Sequence, residues 1–178
     1  MTRPAVFLDR DGVVNRVVLR DGKPYPPTSA AELEILPGVA DALAGLRAAG
    51  LGVVVVTNQP DVARGSQRRE AVEAINAALS SQLAIDEFRV CYHDDADACS
   101  CRKPEPGLLT QSPAYDLARS VMVGDRWRDI EAGRRAGVLA TVLVASGHEE
   151  VCAVEPDLRA ESLAQAVPFI LSVVQKAQ

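Results

Sequence analysis

Five short apolar runs alternate with longer helical patterns along this chain, and that alternation is what most limits its fold. Residues 5–8, 52–56, 88–90, 120–123 and 139–145 read as strands. Pro37-Gly38 opens a helix that runs through Ala49 and is stopped by Gly50. Residues 67–83 place Val72, Ile75, Ala78 and Leu79 on one helical face. Residues 128–136 and 162–176 read as further helices. A helix is also expected after Pro106-Gly107, kinked at Pro113 or restarting there, because a proline in its interior removes a hydrogen bond. Strands alternating with helices pair in parallel. The expected fold class is therefore α/β, a Rossmann-like parallel sheet with helices on both faces.

These elements use nearly all of the 178 residues. A single domain over 1–178 is expected, with no separate cap domain. Two segments are spare: a hairpin-like flap at 13–28 and a loop at 91–101. No apolar stretch approaches the roughly 18 residues of a membrane span, and no signal peptide is visible near Met1, so a cytoplasmic protein is expected. The net charge of −5 argues against nucleic acid or an acidic membrane as partner. Aromatic residues, at 4%, are too few for base-stacking platforms. A monomer acting on a small molecule is the expectation.

Three of the four cysteines, Cys91, Cys99 and Cys101, fall within eleven residues, together with His93, one of two histidines. Three thiolates and one imidazole make a closed tetrahedral set for Zn²⁺, which points to a structural metal. A disulfide is the alternative; a reducing compartment disfavours it, and it leaves His93 without a task. Cys152 reads as a buried or incidental thiol and His148 as a solvated loop residue.

Asp9-Arg10-Asp11 directly follows the first strand. Spacing alone is weak, since 13 aspartates produce about one such pair by chance. Asp95-Ala96-Asp97 is a second pair and reads as solvated loop. Context separates the two: Thr57-Asn58 follows the second strand, Cys91 the third and Gly124-Asp125 the fourth. Parallel sheets build their sites at these strand ends. Carboxylates gathered there repel one another unless a cation lies between them, and oxygen ligands point to Mg²⁺. Such parts suit phosphoryl transfer: one aspartate attacks phosphorus, and a second moves the proton. A lysine, a hydroxyl and the metal balance the charge. A phospho-accepting signalling domain and a non-catalytic zinc-binding module are the rival readings.

These residues resemble the motifs of the haloacid dehalogenase (HAD) superfamily of phosphohydrolases over nearly the whole chain. The first motif is met by Asp9-Arg10-Asp11-Gly12-Val13, the second by Thr57, the third by Lys103 and the fourth by Gly124-Asp125 with Asp129. Residues 7–15, Thr57-Asn58-Gln59, Ala63-Arg64-Gly65 and Arg102-Lys103-Pro104 are similar to the branch of histidinol-phosphate and heptose-bisphosphate phosphatases. Members of that branch with a Cys-x-His…Cys-x-Cys loop use it to hold structural zinc.

The resemblance implies Asp9 as nucleophile and Asp11 as general acid and base. It implies Asp9, the Asp11 carbonyl and Asp125 as Mg²⁺ ligands, and Thr57 and Lys103 as phosphoryl-stabilising groups. Asn58 and Arg102 would contact substrate, and Arg126 stands where the heptose phosphatases often have lysine. Asp129 is expected to orient Lys103 or a metal-bound water, or to complement its helix dipole. Pro60-Asp61 departs from the usual Ser-Gly and makes a second substrate phosphate less welcome nearby. Trp127 reads as a packing aromatic, and Arg64, Arg68 and Arg69 as a solvated helix face. Arg16 and Arg20 stand on the flap, where they could meet an anion.

Overall fold

The computed structural model describes residues 2–147 and 154–177; His148 and Cys152 lie outside the described residues. In chain order the elements are β1 (Ala5–Leu8), β2 (Val18–Arg20), β3 (Lys23–Tyr25), α1 (Val39–Ala48), β4 (Gly52–Asn58), α2 (Arg69–Gln82), β5 (Glu87–Cys91), α3 (Gly107–Thr110), β6 (Val121–Gly124), α4 (Trp127–Ala136), β7 (Ala140–Val144), β8 (Leu158–Ala160) and α5 (Leu163–Lys176). Six strands form one sheet in the order β5-β4-β1-β6-β7-β8, and each neighbouring pair is parallel. β1 lies between β4 and β6, so the chain changes its direction of travel across the sheet at β1. In open parallel sheets, ligands bind beyond the carboxyl ends of the strands at such a switch point.

The pleat divides the core into two layers. Val6, Leu8, Val53, Val55, Val121 and Val123 pack with Leu43 and Leu46 of α1, Ile75 and Leu79 of α2, and Ile170 of α5. Ala5, Phe7, Val54, Val56 and Met122 pack on the other side with Leu108 and Leu109 of α3 and Ala132 of α4. Residues 53–56 are apolar without alternation because both of their faces are buried. No described helix is long and apolar enough to cross a membrane.

Four expectations change. β8 is a sixth strand, short and half-exposed, and its edge position removes the apolar periodicity that would have revealed it. Pro113 neither kinks nor restarts a helix: α3 ends at Thr110, and a 3₁₀ turn at Leu117–Arg119 follows. Tyr115, between them, sets its ring edge-on to Phe7 at 6.0 Å. β4 runs on through Thr57 and Asn58, which lie in register with Val90 and Cys91 of β5. The flap is narrower than 13–28, because Val13 and Val14 are buried in the core. Its hairpin turns at Asp21-Gly22, whose φ values of 51° and 74° are the left-handed pair that a tight two-residue turn requires.

Candidate active site

Asp9 directly follows β1, and its N–H donates to the Val123 carbonyl at 2.9 Å, which continues the ladder onto β6. Its carboxylate accepts from Lys103 Nζ at 2.7 Å. The same ammonium donates to the Val56 carbonyl at 2.7 Å and pairs with Asp129 Oδ1 at 2.6 Å. All three of its N–H bonds are thereby used. The Lys103 side chain is only 2% exposed. Burial works against its charge, but Asp129 and Asp9 outweigh burial and hold its pKa above the usual lysine value.

Asp125, at the end of β6, completes the acidic group: Asp9, Asp125 and Asp129 present oxygens all within 4.8 Å of one another. Two glycines permit this crowding. A Cβ on Gly12, which has φ +94°, would collide with the Asp125 carboxylate, and one on Gly124 would collide with that of Asp129. Burial, opposed by Lys103, pushes Asp9 up to about 6. Burial together with the negative charges of Asp9 and Asp129 pushes Asp125 up to about 8. Asp125 Oδ1 is buried with no hydrogen-bond partner among the described residues. Lys103, with Arg126 acting on Asp125, does not offset the crowding of these acidic groups, and the unpartnered oxygen completes a donor set that fits a hard cation.

The Asp11 carboxylate stands outside this group. Its Oδ1 accepts from Arg10 Nε at 3.2 Å and Asn15 Nδ2 at 3.0 Å. Its Oδ2 accepts from Arg10 Nη2 at 3.1 Å and Gln59 Nε2 at 2.8 Å. Arg10 is fully buried and reaches Asn76 Oδ1 of α2 at 2.9 Å through Nη1. A share of Asp11 in metal binding would therefore come from its backbone carbonyl. Thr57 is buried beside it and accepts from Gln59 Nε2 at 2.9 Å. Asn58 is engaged by the backbone of Lys103: its Nδ2 donates to the Lys103 carbonyl at 3.0 Å, and its Oδ1 accepts from the Lys103 N–H at 3.1 Å.

Cys91, His93, Cys99 and Cys101 converge at the end of β5, with ligand atoms within 4.8 Å of one another. Cys91 Sγ lies 3.6 Å from His93 Nδ1 and 3.7 Å from Cys99 Sγ, and Cys101 Sγ lies 3.5 Å from Cys99 Sγ. Sulfurs around a tetrahedral zinc stand roughly 3.8 Å apart, from Zn–S bonds of ~2.3 Å. The Cys91–Cys101 pair is closer, at 2.8 Å, and is not a disulfide; all three cysteines are free. Four soft donors placed in this way can hold a metal ion.

A cleft of about 270 Å³ opens over Asp9, Asp11, Thr57 and Lys103, with a rim of flap, turn and loop residues. Arg102, Arg126, Arg128 and Arg64 line it. Arg102 Nε donates to Asp95 Oδ1 at 2.8 Å, so Asp95, exposed in its loop as expected, is also an ion-pair partner. Arg64 is likewise no helix-face residue. It precedes α2 and clasps Asp94 through Nε at 2.8 Å and Nη2 at 2.6 Å, which holds the Asp94 carboxyl down to about 2. Asp61 lines the cleft with its charge faced by Arg64 at 3.6 Å. Arg69 lies over the Tyr92 ring, and the Arg128 guanidinium lies over Trp127. Arg16 and Arg20 pair with Glu34 and Glu32 and do not line the cleft.

Sequence reasoning passed over Arg10, Asn15 and Gln59, although each stands inside a quoted motif. A buried polar residue beside a motif acid is the signal that would have found them. Arg128 carried no signal, since its approach to the cleft depends on where α4 begins.

A HAD-hydrolase-like family model matches residues 100–166. The D-glycero-alpha-D-manno-heptose-1,7-bisphosphate 7-phosphatase of Mycobacterium tuberculosis is 41% identical over 152 residues, covering 78% of each chain. The D-glycero-beta-D-manno-heptose-1,7-bisphosphate 7-phosphatase of Escherichia coli K12 is 35% identical over 159 residues, covering 81% of this chain and 80% of that one. Among solved structures, the D,D-heptose 1,7-bisphosphate phosphatase of B. bronchiseptica, complexed with magnesium and phosphate, superposes with a TM-score of 0.80. It is 33% identical, and the match covers 95% of this chain and 98% of that one. With the strand-end aspartates, the buried lysine and these relatives in agreement, the chain belongs to the HAD-like hydrolases, a family of phosphoric monoester hydrolases.

Proposed function

We propose that this phosphatase removes the 7-phosphate of a D-glycero-D-manno-heptose 1,7-bisphosphate through a phosphoaspartate on Asp9. The observation that carries the reading is Asp9 at the switch point of the sheet, held by a buried lysine and faced by Asp125 and Asp129. A carboxylate oxygen of Asp9 attacks phosphorus. Asp11, which enters this step as the neutral acid rather than as the carboxylate seen here, gives its proton to the departing sugar oxygen, which leaves as the free hydroxyl. Asp11 then takes a proton from the water that cleaves the acyl phosphate. Lys103 and the Thr57 hydroxyl neutralise charge gathering on the phosphoryl oxygens. Asn58 acts on this site by seating Lys103, as well as standing at the cleft. Arg102 and Arg126 contact the rest of the substrate, and Asp129 keeps Lys103 charged and in place.

Asp9, the Asp11 carbonyl and Asp125 would hold Mg²⁺, which offsets negative charge at the phosphoryl group when bound. The soft-donor set of Cys91, His93, Cys99 and Cys101 would hold structural Zn²⁺. The chain works as one domain over 1–178, with the flap and the metal loop in place of a cap, and as a monomer in the cytoplasm. The substrate comes from the relatives, which include enzymes named for the alpha and for the beta anomer. Turnover of both anomers and of histidinol phosphate, each with Mg²⁺, tests it. A heptose bisphosphate is expected to lead, and faster cleavage of histidinol phosphate would reassign the substrate.

Magnesium should also stabilise the protein in a pH-dependent way. Asp9 and Asp125 titrate in the fold near 6 and 8, above the ordinary 3.8. Their protonated forms favour folding below about pH 4, the usual carboxyl range, and that contribution is lost as pH rises through 6 and 8. Unfolding curves should show metal-free protein weakening from pH 5 to 8.5, with millimolar Mg²⁺ raising the midpoint more at pH 8 than at pH 5. Equal shifts at both values would contradict the ligand set.

A further inference from the structure

Gln59 joins two groups of the site at once. Its Nε2 donates to Asp11 Oδ2 at 2.8 Å and to Thr57 Oγ1 at 2.9 Å, which uses both of its N–H bonds. The residue is 1% exposed, and its Oε1 is buried with no hydrogen-bond partner among the described residues. Asn15 repeats the pattern: Nδ2 donates to Asp11 Oδ1 at 3.0 Å while its own Oδ1 is left without a partner. A buried carbonyl oxygen without a donor is destabilising. Turning the Gln59 amide would set its oxygen against the Asp11 carboxylate, two acceptors face to face. While Asp11 is ionised it therefore dictates the orientation, and the unpartnered oxygen is its consequence.

Thr57 is affected as well. A hydroxyl that accepts the Gln59 N–H keeps its own proton for another acceptor. Thr57 lines the cleft beside Asp9, where a phosphoryl oxygen would supply that acceptor. The backbone also seats Gln59, since its N–H donates to the carbonyl of Cys91 at 2.8 Å. We propose that Gln59 is a positioning residue: it directs the Thr57 hydroxyl into the cleft and holds the Asp11 carboxylate in place. This rests on the phosphatase reading of the site.

Gln59→Met, similar in shape but without either donor or the unpaired oxygen, tests it with Mg²⁺ on p-nitrophenyl phosphate and on a sugar phosphate ester, whose departing oxygen needs the Asp11 proton. Losing hydrogen bonds to a charged group predicts a fall in kcat of roughly tenfold to a hundredfold. The fall should exceed any rise in KM, with the melting temperature unchanged or higher. A lower melting temperature with wild-type kcat per folded molecule would mark a space-filling residue and overturn the proposal. Gln59→Glu, identical in shape, sets an acceptor against Asp11. It decides the matter if the methionine variant does not fold, and turnover within twofold of wild type would overturn the proposal. Wild-type protein that fails to cleave either ester would instead sink the phosphatase reading, an outcome distinct from an active wild type matched by its Gln59 variants.

Discussion

Asp9→Asn is expected to lower kcat by at least about a thousandfold while leaving the fold intact, because an amide oxygen is a far poorer nucleophile than a carboxylate. The substitution is nearly isosteric, and the new side chain can still accept from Lys103 Nζ, which lies 2.7 Å from Asp9 Oδ1. Stability should not suffer. The Asp9 carboxyl is pushed up to about 6 by burial, so at pH 7 its ionised form opposes folding of the metal-free protein. A neutral side chain relieves that opposition. Steady-state kinetics with Mg²⁺ and a sugar phosphate, beside a melting curve, check both halves. Turnover within tenfold of wild type would remove Asp9 from the nucleophile's role, and Asp11, held by Arg10, Asn15 and Gln59, would become the carboxylate to examine.

The second large effect belongs to the metal loop. Stripping the metal with a chelator, or Cys99→Ser, should destabilise the protein by on the order of 5 kcal/mol. That is less than the ~10–16 kcal/mol that zinc supplies to small finger peptides, because here the sheet keeps its own core. Activity should fall with it, since Lys103 follows Cys101 by two residues and Gln59 hangs from the Cys91 carbonyl. Both ends of the catalytic arrangement are thus tied to the loop. About one zinc per folded chain is expected from the single four-ligand set. A stable, active protein without metal would refute the assignment.

Much of this site was legible because its chemistry is local in sequence. Asp9 and Asp11 are two residues apart, the four soft ligands span eleven, and Arg102-Lys103 follows them directly. Apolar strands with polar residues immediately after them mark strand ends whatever the packing around them. Other features lacked a local signal. β8 is short and at an edge, so no buried face imposes a pattern on it. Arg64 reads as part of a helical face until the chain is folded, and only then does Asp94 come within 2.6 Å of it. Pro113 is compatible with a kink, a restart or a loop, and packing of Tyr115 on Phe7 selects the loop.

The sequence by itself determined a parallel α/β sheet, two carboxylates at the end of its first strand, and a complete set of soft metal ligands, because strand burial and ligand spacing are properties of adjacent residues. It did not determine which partner each charged group would meet. Lys103 lies 94 residues from Asp9, and the order of strands is what brings the ammonium between Asp9 and Asp129. Gln59 lies 48 residues from Asp11, and its side chain is committed by a single close approach. Those pairings are long-range and depend on geometry of a few tenths of an ångström, which only the packed sheet and its loops can supply.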